Sequence, residues 1–187
     1  MAIEEPAYEV LREARDYELR RYGSLLVAET EVEGSVGSAG NQAFRVLAAF
    51  IFGDNEPAES IAMTAPVIQS RSEKMAMTAP VIQEEAEEPG RYVVQFTMPS
   101  TYTRDTLPRP TDPRVRIREV PSRTLAVRRY SGRWTVERYR EEERALRRAL
   151  GRDGIEAAPV AQWARYNSPF SLPPFRRNEV WIEVALP

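Results

Sequence analysis

The sequence predicts an α+β fold of two similar halves, and the order of its elements is the main reason. Short segments rich in Tyr, Val and Leu are typical of strands, and two stretches place apolar residues at helical spacing. Each half of the chain reads as strands, a helix and further strands, which is an α+β order. With 187 residues, 42% of them hydrophobic, we expect one domain over 1–187, with internal repeats at about 8–98 and 114–187.

The first half contains one predicted helix between strands. The strands are predicted at Tyr8–Ala14, Tyr17–Tyr22 and Leu25–Glu31 before the helix, and at Tyr92–Met98 after it. A connector rich in Gly and Ser covers 34–40, and the helix is predicted at Gln42–Phe52. Ser38 or Asn41 is the candidate N-cap, and Gly53 is the expected end of the helix.

An octapeptide, AMTAPVIQ, occurs twice in the first half, as Ala62–Gln69 and Ala76–Gln83. The offset, 76 − 62 = 14, is even, so two strands with this sequence can present the same residues to the same face. The polar residues between the copies predict a turn, and an antiparallel hairpin about Ser72 would place Met63 opposite Val81. Each copy contains a proline, which we expect at an edge or a bulge.

The second half repeats the order after a Pro-rich loop over 99–113. Strands are predicted at Val115–Val120, Leu125–Tyr130, Gln162–Tyr166 and Glu179–Leu186, with a helix at Thr135–Leu150 and a Pro-rich arm at Asn167–Arg177. The helix has an apolar stripe of Val136, Tyr139, Leu146 and Leu150 with Glu143 in its middle. A carboxylate on an inward stripe most often pairs with a base, so we expect Glu143 to pair with an arginine.

The composition excludes several kinds of chemistry. The chain has no His and no Cys, which rules out Ser–His and Cys–His catalysis and disulfides, and argues against a zinc site. No apolar run approaches the roughly 20 residues of a membrane helix, and the N-terminus has no signal-peptide pattern. We therefore expect a cytoplasmic protein with no membrane partner, and a formal net charge of −2 does not indicate a nucleic-acid partner.

The charges are unevenly distributed along the chain. Residues 1–95 hold 17 acids and 8 bases, a net −9, whereas residues 96–187 hold 11 acids and 18 bases, a net +7. Either the two halves attract each other within one domain, or the C-terminal half offers positive charge to an anionic ligand.

Several short strings occur in an order and spacing that resemble one family. They are YELRRY at Tyr17–Tyr22, FGDN at Phe52–Asn55, the two MTAPV copies, FTMPS at Phe96–Ser100, LPRP at Leu107–Pro110, YSG at Tyr130–Gly132 and RRNEVW at Arg176–Trp181. Over nearly the whole chain they resemble the SOUL haem-binding protein family. The resemblance implies a strongly curved or barrel-like antiparallel sheet with two helices, similar to the effector-binding domains of bacterial regulators.

The resemblance also implies a ligand, haem or another tetrapyrrole, held in an apolar cleft beside the first helix. Some members are proposed to ligate the iron through a histidine, which this chain lacks, so any ligation would fall to Met or Tyr. Met63, Met77 and Met98 are more simply core residues. We therefore expect reversible binding through apolar contacts, with arginines at the propionates, to a protein that folds without its ligand.

Two parts of the sequence supply the candidate binding residues. On the first helix, Phe44, Leu47, Ala48 and Ile51 form one apolar stripe, which either lines a ligand cleft or is buried by protein, and Arg45 could reach a carboxylate. Near the last strand the candidates are Tyr166, Arg176, Arg177 and Trp181. The arginines could hold propionates bidentately or form surface ion pairs with the acidic half.

In the last strand, alternation places Val180, Ile182 and Val184 on one face and Glu179, Trp181 and Glu183 on the other. The apolar set is expected to face the helices. An aromatic residue beside a carboxylate would also suit a cationic ligand.

Two other functions remain open from the sequence. One is a general sensor or carrier of amphipathic small molecules. The other is a hydrolase using Glu179 or Glu183, although no catalytic or metal-binding constellation is visible. We expect a small-molecule ligand and a monomer or weak homo-oligomer.

Overall fold

A computed structural model describes residues 3–58, 72–168 and 170–185. It contains two α-helices, α1 (Val36–Phe52) and α2 (Val136–Arg152). The strands are β1 (Tyr8–Glu13), β2 (Glu18–Tyr22), β3 (Leu25–Glu33), β4 (Asn55–Glu56), β5 (Val81–Glu85), β6 (Arg91–Thr97), β7 (Arg109–Pro110), β8 (Arg116–Val120), β9 (Arg123–Tyr130), β10 (Ala157–Arg165) and β11 (Asn178–Val184). Among these residues no helix is both long and apolar enough to cross a membrane.

Nine of the strands form one sheet in the order β1-β2-β9-β11-β10-β5-β6-β3-β8, and β4 pairs with β7 separately. Every neighbouring pair in the large sheet is antiparallel. The sheet curls into a half-barrel with two helices, which confirms the predicted α+β class. The similarity of the two halves stays a prediction.

Helix α1 begins six residues earlier than the sequence predicts. Its N-cap is Ser35, whose hydroxyl accepts from the Ser38 backbone N–H while the Ser38 hydroxyl accepts from the Ser35 backbone N–H. This reciprocal capping box outweighs the low helix propensity of the Gly-rich connector, so the prediction of Ser38 or Asn41 as N-cap is wrong. Gly53 ends the helix as predicted, with a φ of +129° that favours glycine.

Helix α2 follows its prediction closely. Thr135 is the N-cap and accepts from the Arg138 backbone N–H, and the helix runs two residues beyond Leu150. The predicted arginine pairing of Glu143 is confirmed, because its carboxylate lies 3.0 Å from Arg147 and 3.2 Å from Arg140.

Only the second octapeptide copy lies within the described residues; the first copy, and with it one arm of the predicted hairpin, lies outside them. The second copy leads into β5, which is a central strand. Val81 pairs with Arg165 of β10 on one side and with Phe96 of β6 on the other. Both edges of β5 are therefore occupied, and the predicted pairing of Val81 with Met63 is wrong. Pro80 stands just before the strand, where it interrupts no ladder.

The helices cover one face of the sheet. Helix α1 packs on β3 and β6, and α2 packs on β9, β10 and β11. As predicted, Val180 and Ile182 face the helices and join the α2 core. The opposite face of the sheet carries a third buried cluster with no helical residue in it: Tyr22, Ile82, Leu125, Val127, Ala164 and Trp181.

Ion pairs connect the acidic and basic halves of the chain. Glu5 pairs with Arg177, Glu29 with Arg118, and Glu85 with Arg140, at distances of 2.5 to 3.0 Å. These contacts agree with attraction between the two halves, and binding of an anionic ligand by the C-terminal half stays a prediction.

Candidate functional site

The predicted binding residues lie in two separate places. Those of α1 lie on the helix-covered side of the sheet, whereas Tyr166, Arg177 and Trp181 belong to the opposite face.

The predicted stripe on α1 lies across the boundary between core and solvent. Leu47 and Ile51 are 0% and 1% exposed and pack in the core beneath the helix. Phe44 is 39% exposed, whereas Ala48, one turn further along the helix, is buried at 8% exposure. The role of these four residues in binding a ligand stays a prediction. Leu47 and Ile51 pack in the core of the structure.

A different stripe of α1 reaches solvent. Phe44, Ala48 and Phe52 follow one another at i, i+4 and i+8, which spans about 12 Å along the helix. Phe52 is 56% exposed, and Arg45 is exposed beside them. We call Phe44, Arg45, Ala48 and Phe52 the α1 patch. Phe52 was missed as a site residue, although its spacing of four from Ala48 is visible in the sequence.

The shape of the α1 patch suits a flat ligand. The Phe44 ring is held by an edge-on contact with Phe96, 5.5 Å between ring centroids. Ala48 has a small side chain, so the helix surface between the two phenyl rings is recessed relative to the rings. The patch thus combines aromatic walls, a short side chain between them and one cation.

The described methionines do not reach the α1 patch. Met75 and Met98 are each 4% exposed, and Met77 is half-buried against the same core. The Tyr102 hydroxyl donates to the Glu73 carboxylate at 2.7 Å, and its pKa is raised to about 12, chiefly by burial. The patch itself contains no side chain that binds iron.

On the opposite face, the carboxylate of Glu179 forms the centre of a polar cluster. Glu179 is fully buried, and it accepts from Arg20 at 3.2 Å and from Arg177 at 2.9 Å. It also accepts from the Tyr166 hydroxyl at 2.8 Å and from the Trp181 indole N–H at 2.7 Å. We call Arg20, Tyr22, Tyr166, Arg177, Glu179 and Trp181 the Glu179 cluster.

Burial shapes the protonation of this cluster. Burial lowers the pKa of Arg20, but attraction to Glu179 and hydrogen bonds outweigh that effect and raise the pKa above its usual range. Burial raises the pKa of Tyr22 to about 12 against the opposing effect of Arg20. Burial, and next the charge of Glu179, raise the pKa of Tyr166 well above its ordinary value. The tyrosines are therefore neutral and Arg20 is charged at physiological pH.

The N-terminal segment covers part of the Glu179 cluster. The Glu5 carboxylate lies 2.8 Å from Arg177. The Tyr8 ring lies 5.3 Å from the Tyr22 ring, and the Arg20 guanidinium lies 4.3 Å from the Tyr8 ring centre. The segment thus covers part of the cluster, and Arg177 and Tyr166 remain partly exposed.

The side chain of Arg176 has different partners from that of its neighbour Arg177. Its guanidinium lies 4.3 Å from the ring centre of Trp134, and its Nε donates to the Ser171 carbonyl at 2.8 Å. The Trp134 indole in turn donates to Asn178. The structure therefore does not bring Arg176 together with the other predicted residues.

The two glutamates proposed for hydrolysis differ in their surroundings. Glu179 already accepts from four side chains, two of them arginines. Glu183 has a half-exposed side chain, 3.9 Å from Arg123. Neither side chain is paired with a second acid or base in the manner of a catalytic dyad.

Two surface depressions lie away from both places. One of about 380 Å³ is lined by residues that include Glu31, Arg91 and Arg114, and the other of about 430 Å³ by residues that include Arg12, Asp16 and Arg152. Both are lined mainly by charged residues, which does not suit a large apolar ligand.

Comparison with known sequences identifies relatives over most of the chain. The family model described as SOUL heme-binding protein matches residues 3–72 and 68–183. Human heme-binding protein 2 is 30% identical over 194 aligned residues, covering 97% of this chain and 86% of the human protein.

Comparison with solved structures shows the same fold in distant proteins. The C-terminal domain of EcmrR superposes with a TM-score of 0.61 at 10% identity, covering 95% of this chain and 98% of that chain. SAV2435 bound to tetraphenylphosphonium superposes with a TM-score of 0.52 at 10% identity, covering 91% and 94%. At this level of identity the likeness concerns the fold alone.

Proposed function

The chain belongs to the SOUL heme-binding protein family, and we propose that it binds haem or a related tetrapyrrole reversibly on the α1 patch, without a histidine ligand. The supporting observation is the pair of exposed phenyl rings, Phe44 and Phe52, either side of Ala48 with Arg45 beside them. Exposed aromatic residues lined up along one helix are typical of a surface that binds a ligand or partner.

The energetics of the proposal come from apolar burial and one charge. A macrocycle lying over Phe44 and Phe52 removes both rings from water, at roughly 25 cal/mol per Å² of apolar surface. Arg45 then pairs with a propionate at the rim, where an exposed ion pair contributes about 0.2–1 kcal/mol. Apolar contact is therefore the main source of affinity, and the arginine favours ligands that carry a carboxylate.

The metal plays little part in this binding. Bound haem would bring an iron capable of ligand exchange and electron transfer, but the α1 patch offers the iron no protein ligand. We therefore propose that the affinity resides in the porphyrin ring and its propionates.

A haemin titration of the purified protein tests the proposal. The Soret band should saturate at low micromolar haemin, and Phe44→Asp should weaken binding at least tenfold, because it places a charge under the ring. Val136→Asp on α2 is the matched control, since Val136 is 40% exposed and Phe44 is 39% exposed. Failure to saturate, or equal binding by the Phe44→Asp variant, would sink the proposal.

The alternatives from the sequence have less support. SAV2435 was solved with a lipophilic cation, but here the buried carboxylate Glu179 is neutralised by Arg20 and Arg177. This pairing disfavours a second cation at Glu179. The same pairing removes Glu179 as a general base.

A further inference from the structure

The N-terminal segment Ile3–Val10 lies against the Glu179 cluster, with Glu5 on Arg177 and Tyr8 on Arg20 and Tyr22. At one end the Glu4 carbonyl accepts from the Ala79 backbone N–H at 2.9 Å, and the Glu4 carboxylate accepts from the Ser100 backbone N–H at 2.9 Å. At the other end Tyr8 begins β1 and pairs with Tyr22. The segment is thus fixed to the sheet on both sides of the cluster.

Two side chains of this segment contact the cluster in different ways. Glu5 places its carboxylate 2.8 and 3.1 Å from one terminal nitrogen of Arg177. Tyr8 places its ring against Tyr22 and beneath the Arg20 guanidinium. The segment therefore supplies one carboxylate and one aromatic ring to a set of arginines and aromatic residues.

The N-terminal segment is more exposed to solvent than the residues beneath it. Tyr8 is 39% exposed, and the Glu5 side chain is 40% exposed. Beneath them Trp181, Tyr22 and Arg20 are at most 3% exposed. Lifting a mostly solvated segment costs less than opening a packed core, because few buried contacts are lost.

The charges of the cluster select a ligand. With Glu5 in place, Arg20 and Arg177 face three carboxylates: Glu179 between them, Glu18 on Arg20 and Glu5 on Arg177. Without Glu5, Arg177 keeps only Glu179, which it shares with Arg20. An anion rather than a cation can then replace the lost ion pair on Arg177.

We propose that Glu5 and Tyr8 act as an internal stand-in for a ligand, and that the Glu179 cluster binds a small aromatic carboxylate when the segment moves aside. The carboxylate of the ligand takes the place of the Glu5 carboxylate on Arg177, and its ring takes the place of the Tyr8 ring against Tyr22. This site lies on the sheet face opposite α1, so it is independent of the tetrapyrrole proposal.

Competition between segment and ligand sets the apparent affinity. The ligand binds only the fraction of molecules whose segment has moved, so the observed Kd is the intrinsic Kd divided by that fraction. Weakening the contacts of Glu5 and Tyr8 raises the fraction without changing the site. Binding should therefore tighten when two contacts are removed, which a structural role for the segment does not predict.

The test uses 2-naphthoate as the probe, with tryptophan fluorescence and calorimetry on the full chain. Glu5→Gln combined with Tyr8→Ala should lower the Kd for 2-naphthoate about tenfold. This factor corresponds to the combined stabilisation that an exposed ion pair and an aromatic pair give to the segment in place. The matched control is Glu9→Gln with Val10→Ala, in the same segment. Glu9 pairs with Arg21 away from the cluster and Val10 is exposed, so the Kd should not change.

A second probe separates recognition of the carboxylate from recognition of the ring. The cation 2-naphthylmethylammonium should bind at least tenfold more weakly than 2-naphthoate to the double variant. The proposal is overturned if neither protein binds 2-naphthoate, if the double variant gains no affinity, or if the cation binds as well. Haemin should bind equally to the wild-type protein and to the double variant, because the α1 patch is unchanged. A failure of haemin binding would therefore count against the tetrapyrrole proposal and not against this site.

Discussion

Arg20 of the second strand and Glu179 of the last strand, 159 residues apart, form a buried ion pair at 3.2 Å on the sheet face that the helices leave uncovered. Both side chains are at most 4% exposed. The pair joins two distant parts of the chain. Glu179 also accepts from Tyr166, Arg177 and Trp181, which come from the C-terminal region, and Arg20 also donates to Glu18 and Tyr22 of its own strand.

Replacing Glu179 should destabilise the fold strongly. Glu179→Gln leaves Arg20 and Arg177 without their buried counter-charge, and we expect the free energy of unfolding to fall by about 3–5 kcal/mol. Urea denaturation measures this change. Glu183→Gln on the same face of the same strand is the control, because the Glu183 side chain is 56% exposed, and it should change stability by less than about 0.5 kcal/mol. Equal effects would contradict a central role for Glu179.

Replacing Asn55 should uncouple the end of α1 from the segment before β5. Its amide nitrogen donates to the carbonyls of Phe50 and Glu73 at 2.8 Å, and its oxygen accepts from the Glu73 backbone N–H at 2.9 Å. Asn55→Asp loses both donated bonds, and we expect a loss of about 2–3 kcal/mol in thermal or urea unfolding. Asn41→Asp, at an exposed position of α1, should be close to neutral. A neutral Asn55→Asp would show that these bonds contribute little.

The two sides of α1 should respond differently to truncation. Leu47→Ala removes a fully buried side chain, and we expect it to lower the free energy of unfolding by about 2–5 kcal/mol. Phe44→Ala removes a ring that is 39% exposed, and the expected loss is about 1 kcal/mol. Paired urea titrations compare them. A larger loss for Phe44 than for Leu47 would mean that Phe44 is a core residue and not part of a surface patch.

Tyr22 and Tyr102 should make the free energy of unfolding fall at high pH. Burial raises the pKa of Tyr22 and of Tyr102 to about 12 in the folded protein, whereas an unfolded tyrosine has a pKa of about 10. Between these values the unfolded chain releases protons that the folded protein retains. The stabilising effect is therefore complete below about pH 10 and is lost as the pH rises towards 12. The tyrosinate absorbance of Tyr22 and Tyr102, obtained by difference from Tyr22→Phe and Tyr102→Phe variants, should change together with the circular dichroism. Ionisation of these two tyrosines near pH 10 with an unchanged fold would contradict this.

Local pattern was sufficient for most of the fold. Alternation correctly separated Val180 and Ile182 from Glu179 and Trp181 across the last strand, because the period of a strand is two. The start of α1 could not be found in this way. Gly40 is a poor helix former by propensity, but in the fold a side chain there would lie 2.9 Å from Arg165, a contact made by a residue 125 positions later. The capping box at Ser35 sets the start of the helix, and the close approach of Arg165 accounts for a glycine inside it.

The arrangement of the candidate sites was less accessible from the sequence. Periodicity identified Phe44, Leu47, Ala48 and Ile51 as one stripe, but only packing on β3 and β6 shows which half of that stripe faces solvent. Arg177 and Trp181 lie two positions either side of Glu179, as strand alternation allows. Arg20 comes from β2 and Tyr166 follows β10, and no spacing rule connects these two residues to Glu179. The covering role of Glu5 and Tyr8 depends on the path of the N-terminal segment, which composition does not encode.

The ratio of the Kd for haemin to the Kd for metal-free protoporphyrin IX tests the central claim most directly. If the α1 patch binds the ring and its propionates without a protein ligand to the iron, the two dissociation constants should agree within about threefold, and Phe44→Asp should weaken both equally. Haemin binding at least a hundredfold tighter than protoporphyrin, together with a spectrum of protein-ligated iron, would contradict the claim.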